Sequence, residues 1–530
     1  MIEREPTAQR VSGATRLLEA LPEARRNRLL RRSDWRYLLP DATPERALCL
    51  GGTDLWACCE VIAREVHDAP KAGVRYDLVV AENPSRRELR RMAAAMSLDG
   101  ACYTEWTRVA PLGPARIRRK LTAAGFDAPA TYRPWPSLSP CRAWVPTEGS
   151  GARHHLRGAP RSTRVRREKL RGALALLLAP VGAHRRICAV ARGPQAKQLP
   201  QLVGIARERG AWPDDSLQRG GLLLHTTGDR VVGKVVALAF DRAGAPALAI
   251  KTARTRDGGR GLHREAELLE AVAALHPRGM PGVPRLHFLD ALAGRPVLGE
   301  TALAGVPLAA TLTHAVYPRM VERVTDWLIT LAEPAASLPP EPTWNSLVSP
   351  TLERFATEFA PVLDPARLDR ARERLGSLGA LPVVCEQRDF SPWNVFDGTG
   401  GIVVLDWESG EPRGLPALDL IYFGTHAAYY MERAWITGRY VEAHRAAWSR
   451  ETEIGRANHA SVARYFAHFE LDPALLRPLR LFAWVLHAHS DFLHLRADAA
   501  GPPDAARLRA SRFLRLYEAE LDDDADAAAP

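Results

Sequence analysis

Lysine is almost missing from this chain. Of 72 basic residues, six are lysine (Lys71, Lys120, Lys169, Lys197, Lys234 and Lys251) and 66 are arginine. The arginines run through nearly every segment, and no basic stripe interleaved with aromatics is present. The formal charge of +11 is therefore read as a bias toward Arg and Ala, and a dedicated nucleic-acid surface is not expected. Paired cysteines are also missing: Cys49, Cys58, Cys59, Cys102, Cys141, Cys188 and Cys385 form no C-x-x-C pair, and adjacent cysteines do not have zinc-ligand spacing. That excludes a disulfide scaffold and predicts reduced, buried thiols. The stretch Met1–Arg10 is charged and lacks the apolar core of a secretion signal. The longest apolar run, around Ala173–Val181, is too short to span a bilayer, so a cytoplasmic protein without a membrane partner is expected.

With 46% apolar and 25% charged residues over 530 positions, the chain has material for several domains and a large core. Residues 1–146 read as mixed α/β. Ala47–Leu50 and the apolar run Tyr76–Ala81 have the look of buried parallel strands, and Gly100–Trp106 reads as another strand. Ser85–Met96, between the second and third of these, has helical spacing with Ser85 as N-cap, and Ala115–Ala124, after the third, is an amphipathic helix closed by Gly125. Thr131–Val145 reads as a terminal hairpin. This order resembles the second half of a class I methyltransferase fold. The resemblance implies a truncated, Rossmann-like domain, because Gly51-Gly52-Thr53 is a poor substitute for that family's cofactor loop. A shortened relic or docking module is expected rather than a methyl-transferring enzyme. Residues 147–215 form an Arg/Gly/Pro-rich connecting region. Its run Arg153–Arg171 reads as a solvated linker passing into a helix near Arg164, and Gly193–Pro213 as a second flexible connection.

The richest chemistry lies at 381–408, LPVVCEQRDFSPWNVFDGTGGIVVLDWE. A short strand ends at Cys385, Asp389 follows in a loop, and Asn394 comes five residues later. Asp397–Gly401 is a hairpin connection, and the return strand Ile402–Leu405 ends at Asp406. A hairpin of this length returns its second strand's end to the loop before its first, so Asp389, Asn394 and Asp406 converge. Phosphoryl transfer needs such a set: a carboxylate near the attacking hydroxyl, and oxygen ligands for the magnesium that bridges the phosphates.

The pattern Asp389, four residues, Asn394, then Leu405-Asp406-Trp407 resembles the aminoglycoside phosphotransferase and choline kinase family, a branch of the protein-kinase fold, over about 220–500. The resemblance implies Asp389 as catalytic base and Asn394 and Asp406 as Mg2+ ligands. Asp419, in Pro416–Leu420, matches a mainly structural aspartate. Gln387 and Arg388 depart from the family's usual His-Gly; the His commonly props the loop, and Gln also hydrogen-bonds.

The small lobe that such a fold requires is legible upstream. Gly221–His225 and Val231–Phe240 read as strands around the turn 226–230, and Ala247–Lys251 as a third strand. A lysine there is informative in a chain with so few. Leu262–Leu275 follows as an amphipathic helix. The resemblance places Lys251 on the α/β-phosphates of ATP (or another nucleoside triphosphate), Glu265 orienting it, and Thr226, Thr227 and Gly228 over the phosphates. The backbone around Glu300–Ala302, at the end of Pro296–Thr301, would meet the adenine. Helices are expected at Ile421–Arg433, Val441–Trp448 and Pro478–Leu495, with Glu432, Glu442, Asp491 and His487 as candidate acceptor-site residues. The acidic run Glu520–Asp526 reads as a frayed tail.

The expected fold class is thus α+β. A bilobal kinase-like domain has its β-rich lobe at 216–305 and its helical lobe at 306–530, and follows the small α/β domain at 1–146 and the connecting region at 147–215. The expected activity is Mg2+-dependent transfer of a phosphoryl group from ATP to a hydroxyl of a small molecule of sugar, amino-sugar or amino-alcohol type. The alternative is a pseudokinase scaffold with the N-terminal part as an interaction module. Nothing in the sequence sets the acceptor or the oligomeric state.

Overall fold

The computed structural model describes residues 18, 21–107, 113–139, 141–158, 186–196, 200–212, 221–226, 233–254, 257–497 and 503–527. The chain is α+β and divides into two compact units, Met1–His263 with Leu286–Ala302 and Arg264–Arg285 with Leu303–Pro530.

The first unit is built on strands β1 (Arg46–Leu50), β2 (Glu65–His67), β3 (Tyr76–Glu82), β4 (Met96–Trp106), β5 (Asp127–Trp135), β6 (Ala143–Pro146), β7 (Ile187–Arg192), β8 (Leu223–His225), β9 (Lys234–Phe240), β10 (Pro246–Ala253), β11 (Leu286–Leu292) and β12 (Arg295–Thr301). All twelve belong to one sheet, in the order β11-β12-β10-β9-β8-β6-β5-β7-β4-β3-β1-β2. The expected parallel portion is present: β1 pairs in parallel with β2 and β3, and β3 with β4. Its apolar runs have a physical origin in burial on both faces. Leu78 and Val80 of β3 enter one core cluster, while Val79 and Ala81, on the opposite face, enter another. The helix Arg86–Ala95 starts at Ser85, whose hydroxyl accepts from the Glu88 N–H while the Glu88 carboxylate accepts from the Ser85 N–H. The helix Pro114–Thr122 is followed by Gly125 at φ +100°, a conformation that suits glycine.

Continuity of the sheet is the main departure from the sequence reading. Ile187–Arg192, within the expected connecting region, is β7, inserted antiparallel between β4 and β5. The Gly/Pro-rich stretch after it contains the helix Gln201–Glu208, which buries Leu202, Val203 and Ala206. Both elements are short, and arginines and prolines on either side mask their apolar faces in the sequence. The expected hairpin β5–β6 continues into the upstream strands of the expected small lobe through β6–β8 pairing, Ala143 opposite His225 and Trp144 opposite Leu224. One core cluster runs from Trp35 through Trp144 to Ile250 and Val297. A buried ion pair, Asp34 to Arg254 at 2.7 Å, ties the segment before β1 to the end of β10. Burial pushes the Asp34 carboxyl upward, and Arg254 and Arg36 oppose that shift.

The second unit is mainly helical: Tyr317–Ala336, Ser349–Glu358, Pro365–Leu375, Leu418–Met431, Tyr440–Trp448, Glu453–His468, Leu476–Ala497 and Arg512–Ala527. A hairpin, Val395–Gly398 with Gly401–Val404, carries the loop at 386–394, and Val306–Pro307 pairs against it. Trp327 of the long helix packs on Phe390 and Trp407, ring centroids 5.6 and 6.4 Å away, so the hairpin rests on a buried aromatic floor. The acidic run expected as a frayed tail is the end of a helix. Its Glu520 is buried and accepts from His444 Nε2 (2.7 Å), Arg480 Nη2 (2.8 Å) and Trp484 Nε1 (3.3 Å). Arg480 and His444 lie 40 and 76 residues upstream, beyond the reach of a local reading.

All seven cysteines are free and buried. Among the described residues no helix is long and apolar enough to cross a membrane.

Candidate active site

The hairpin brings Asp389, Asn394 and Asp406 together, and the surrounding hydrogen bonds explain how. Gln387 is fully buried. Its Nε2 donates to the carbonyls of Asp406 (2.6 Å) and Leu405 (3.3 Å), while its Oε1 accepts the Asp389 N–H (2.9 Å). One amide side chain thus links the loop before the hairpin to the end of its return strand. Asp419, the first acidic residue of the helix Leu418–Met431, accepts the N–H groups of Gln387 (2.7 Å) and Arg388 (2.9 Å). It supports the loop backbone, the structural role implied for it from sequence. Burial and the neighbouring Glu386 push its carboxyl up to about 7, against the pull of those two amides.

Arg388 occupies the left-handed region, φ +62°, where glycine would be unstrained. Its guanidinium meets the buried Glu386 carboxylate at 2.6 Å, and Glu411 at 3.5 Å. The ion pair holds a side chain at a backbone position that disfavours one. Asp406 also has positive φ, +65°, a backbone conformation sparsely used by residues other than glycine.

Asn394 Nδ2 donates to Asp389 Oδ2 (2.8 Å) and to the Asp389 carbonyl (3.0 Å). With the nitrogen so engaged, the amide oxygen remains as a donor atom for a hard cation. Tyr422 OH donates to the other Asp389 oxygen at 3.3 Å. Burial and then repulsion from Asp406 push the Asp389 carboxyl up to about 7, offset in part by Asn394 and Tyr422. Among the described residues no group of three His, Cys, Asp or Glu side chains is arranged to hold a metal by itself. Magnesium does not need one: it binds through one or two carboxylates and completes its shell with water and phosphate oxygens. The all-oxygen set Asn394 and Asp406 fits that demand.

Glu265, on the helix Arg260–Leu275, is fully buried, and its Oε1 accepts the Trp407 N–H at 3.1 Å. It therefore fixes the backbone next to Asp406. In the other unit, Lys251 lies inside β10, and its Nζ pairs with Glu300 Oε1 at 2.7 Å with both side chains buried. Glu300 is a residue of β12 in register with Ala249, and the Ala302 N–H donates to the Ala247 carbonyl at 3.1 Å. Thr226, expected over the phosphates, is instead buried at the β6–β8 seam. Its N–H donates to the Arg142 carbonyl (2.9 Å) and its hydroxyl to the Cys141 carbonyl (3.0 Å). Thr227 and Gly228 lie outside the described residues.

Four candidates were expected around the acceptor. Glu432 pairs with His314 and Glu442 with Arg439, both on the surface, while Asp491 accepts from Ser511. His487 alone among them reaches the Asp389 neighbourhood, its ring 4.2 Å from that of Tyr422. Burial, helped by Arg388 and Arg512, pushes its imidazole down to about 3, so it is neutral at ordinary pH.

Sequence reasoning missed an aromatic tract leading away from Asp389. Tyr422 stacks on His426 at 3.8 Å; His426 meets Tyr429, and both meet Trp435. On the other side, Trp393 packs edge-on against Tyr430 at 5.3 Å. Arg512 lies over Phe513 and Trp435, 4.5 and 4.9 Å from the ring centres. Among the described residues, His426 Nε2, Tyr429 OH, Tyr430 OH and Arg512 Nε are buried without a hydrogen-bond partner. A signal was available: Asp419, Tyr422 and His426 stand at i, i+3 and i+7 on one helix face. Arg512, ninety residues further on, gave none.

Neither a protein-family model nor a curated protein sequence matches the chain. Solved structures do. One is a thermostable mutant of aminoglycoside phosphotransferase APH(4)-Ia in complex with ADP and hygromycin B, at 14% identity over 60% of this chain and 97% of that chain, TM-score 0.38. Another is a glucosamine kinase, at 16% identity over 61% and 85%, TM-score 0.36. A third is a choline/ethanolamine kinase family protein from Mesorhizobium loti, at 15% identity over 61% and 98%, TM-score 0.36.

Proposed function

We propose that this protein is a small-molecule O-phosphotransferase that moves the terminal phosphoryl group of ATP to an acceptor hydroxyl. The observation that carries the reading is the geometry around Asp389. A carboxylate is held by Asn394 and Tyr422, tied through Gln387 to the backbone of Asp406, and supported from below by Asp419. In this reading Asp389 orients the acceptor hydroxyl and takes its proton as the phosphoryl group arrives. Asn394 and Asp406 hold Mg2+, which when bound neutralises charge on the phosphates. Glu265 keeps the backbone beside Asp406 in place. Lys251 serves the phosphates, with Glu300 at 2.7 Å steadying its ammonium. Glu300–Ala302 is proposed as the adenine-facing segment.

The aromatic tract beside Asp389 is proposed as the acceptor wall. Trp393 and Trp435 remain 56% and 42% exposed, surface suited to stacking on a ring. The buried hydroxyls of Tyr429 and Tyr430 and the Arg512 guanidinium seek polar partners, and the candidate carboxylates are engaged elsewhere. These features favour a neutral or anionic sugar-type acceptor over a polycationic one. Gln387 stands where histidine is usual in the resembling family, and its three hydrogen bonds hold the loop.

The test is turnover. Purified protein with magnesium and labelled ATP is screened against hydroxylated metabolites. Acceptor-stimulated phosphate transfer, abolished in Asp389→Ala, is expected. Nucleotide-induced thermal stabilisation with no transfer to any acceptor would instead identify a scaffold.

A further inference from the structure

The first unit carries a second feature that phosphotransfer does not use. Two helices, Arg86–Ala95 and Pro114–Thr122, cover the same face of the parallel strands: Leu89 and Met92 of one and Ile117 and Leu121 of the other enter the same core cluster. Their outer faces border a concave surface of about 580 Å3, lined among the described residues by Arg86, Arg90, Arg116, Arg119, Lys120, Ala123 and Ala124. Helical spacing accounts for the convergence. Arg86 and Arg90 are i and i+4 on the first helix, and Arg116, Arg119 and Lys120 are i, i+3 and i+4 on the second.

Five cationic groups facing one hollow repel one another. Lys120 registers this: burial first, then Arg116 and Arg86, push its ammonium below its ordinary value, and it rests over the Trp106 ring at 5.0 Å. Among the described residues no carboxylate pairs with any of the five. That contrasts with other arginines of this unit. Arg118, on the same helix but turned away, pairs with Glu148, while Arg32 pairs with Glu105 and Arg209 with Asp290. One face of the helix is thus neutralised and the other left charged.

We propose that this hollow is a binding site for a compact soluble anion carrying three or more phosphates. Its volume lies in the small-molecule range, and guanidinium groups match phosphate oxygens through paired N–H donors. A single-stranded nucleic acid would need aromatic platforms for its bases, and none lines the hollow among the described residues.

The experiment is calorimetric titration of the full chain with inorganic tripolyphosphate in EDTA at fixed salt, beside orthophosphate and a single-stranded RNA. Lys251→Met removes the ammonium proposed for the other phosphate-binding site. Equal tripolyphosphate affinity in wild type and Lys251→Met is expected, with a loss of about 1000-fold in the triple variant R90Q/R116Q/R119Q, since each charge-assisted contact is worth roughly tenfold. The single variant Arg119→Gln, expected to lose about tenfold, serves if the triple variant does not fold. Tripolyphosphate binding no tighter than orthophosphate, binding insensitive to the arginine substitutions, or RNA displacing tripolyphosphate at tenfold lower concentration would each overturn the proposal.

Discussion

Gln387 offers the sharpest test of how the loop is held. Replacing it by Leu keeps approximate volume and removes the amide. Three backbone groups then lose their partner: the Asp389 N–H and the carbonyls of Leu405 and Asp406. A buried group left unsatisfied costs about 1–3 kcal/mol. Leu405 and Asp406 are half-buried, so water replaces part of what is lost there, and a total of roughly 2–4 kcal/mol follows. This penalty falls on local opening of the 386–406 segment. Hydrogen exchange at the Asp389 amide, followed by mass spectrometry, should speed up by about 30- to 1000-fold in Gln387→Leu, a tenfold change corresponding to 1.4 kcal/mol. If the phosphotransferase reading holds, kcat should fall by about 100-fold through misplacement of Asp389, with KM for nucleotide less affected. Gln387→His restores a donor or an acceptor and should lie between the two. Unchanged exchange and unchanged kcat in Gln387→Leu, with Asp389→Ala inactive, would refute the positioning of Asp389 by this side chain.

The Glu520 hub should be as consequential for stability. Burial pushes that carboxyl up, but Arg480 and His444 outweigh it and hold it down to about 2, from 4.5. Because the folded value is depressed, its stabilisation is complete above about pH 4.5 and disappears as pH falls through about 2, amounting to about 3 kcal/mol. Glu520→Gln should cost a similar amount at neutral pH and flatten the dependence of the unfolding midpoint between pH 5 and 2. Gly282 has φ +78°, and a Cβ there would fall within the contact shell of the Ile402 carbonyl. Gly282→Ala should therefore destabilise the hairpin by about 2–4 kcal/mol, seen as faster exchange at the Val404 amide, which donates to the Gly282 carbonyl. A chain beginning at residue 216 would keep β8 but lose β6 and Trp144 beside it. It should be insoluble on expression, and a soluble fragment with intact near-UV circular dichroism would argue against a shared core.

The convergence of three side chains at the hairpin was legible because it is local. Asp389, Asn394 and Asp406 lie within a single hairpin, so turn residues and strand patterning are enough to bring them together. The capped helix beginning at Arg86 and the buried strand at Tyr76 were readable for the same reason: their signals span one or two turns of helix or a few strand residues. Tertiary structure alone decided the rest. Whether Glu520 ends a tail or anchors a core depends on hydrogen-bond donors far upstream. Whether residues 187–192 connect or form a strand depends on an opening between β4 and β5. Thr226 was claimed by the backbone of 141–142 rather than left free. Each outcome rests on burial and hydrogen-bond satisfaction between distant segments, and such pairings leave no periodic trace in the order of the residues.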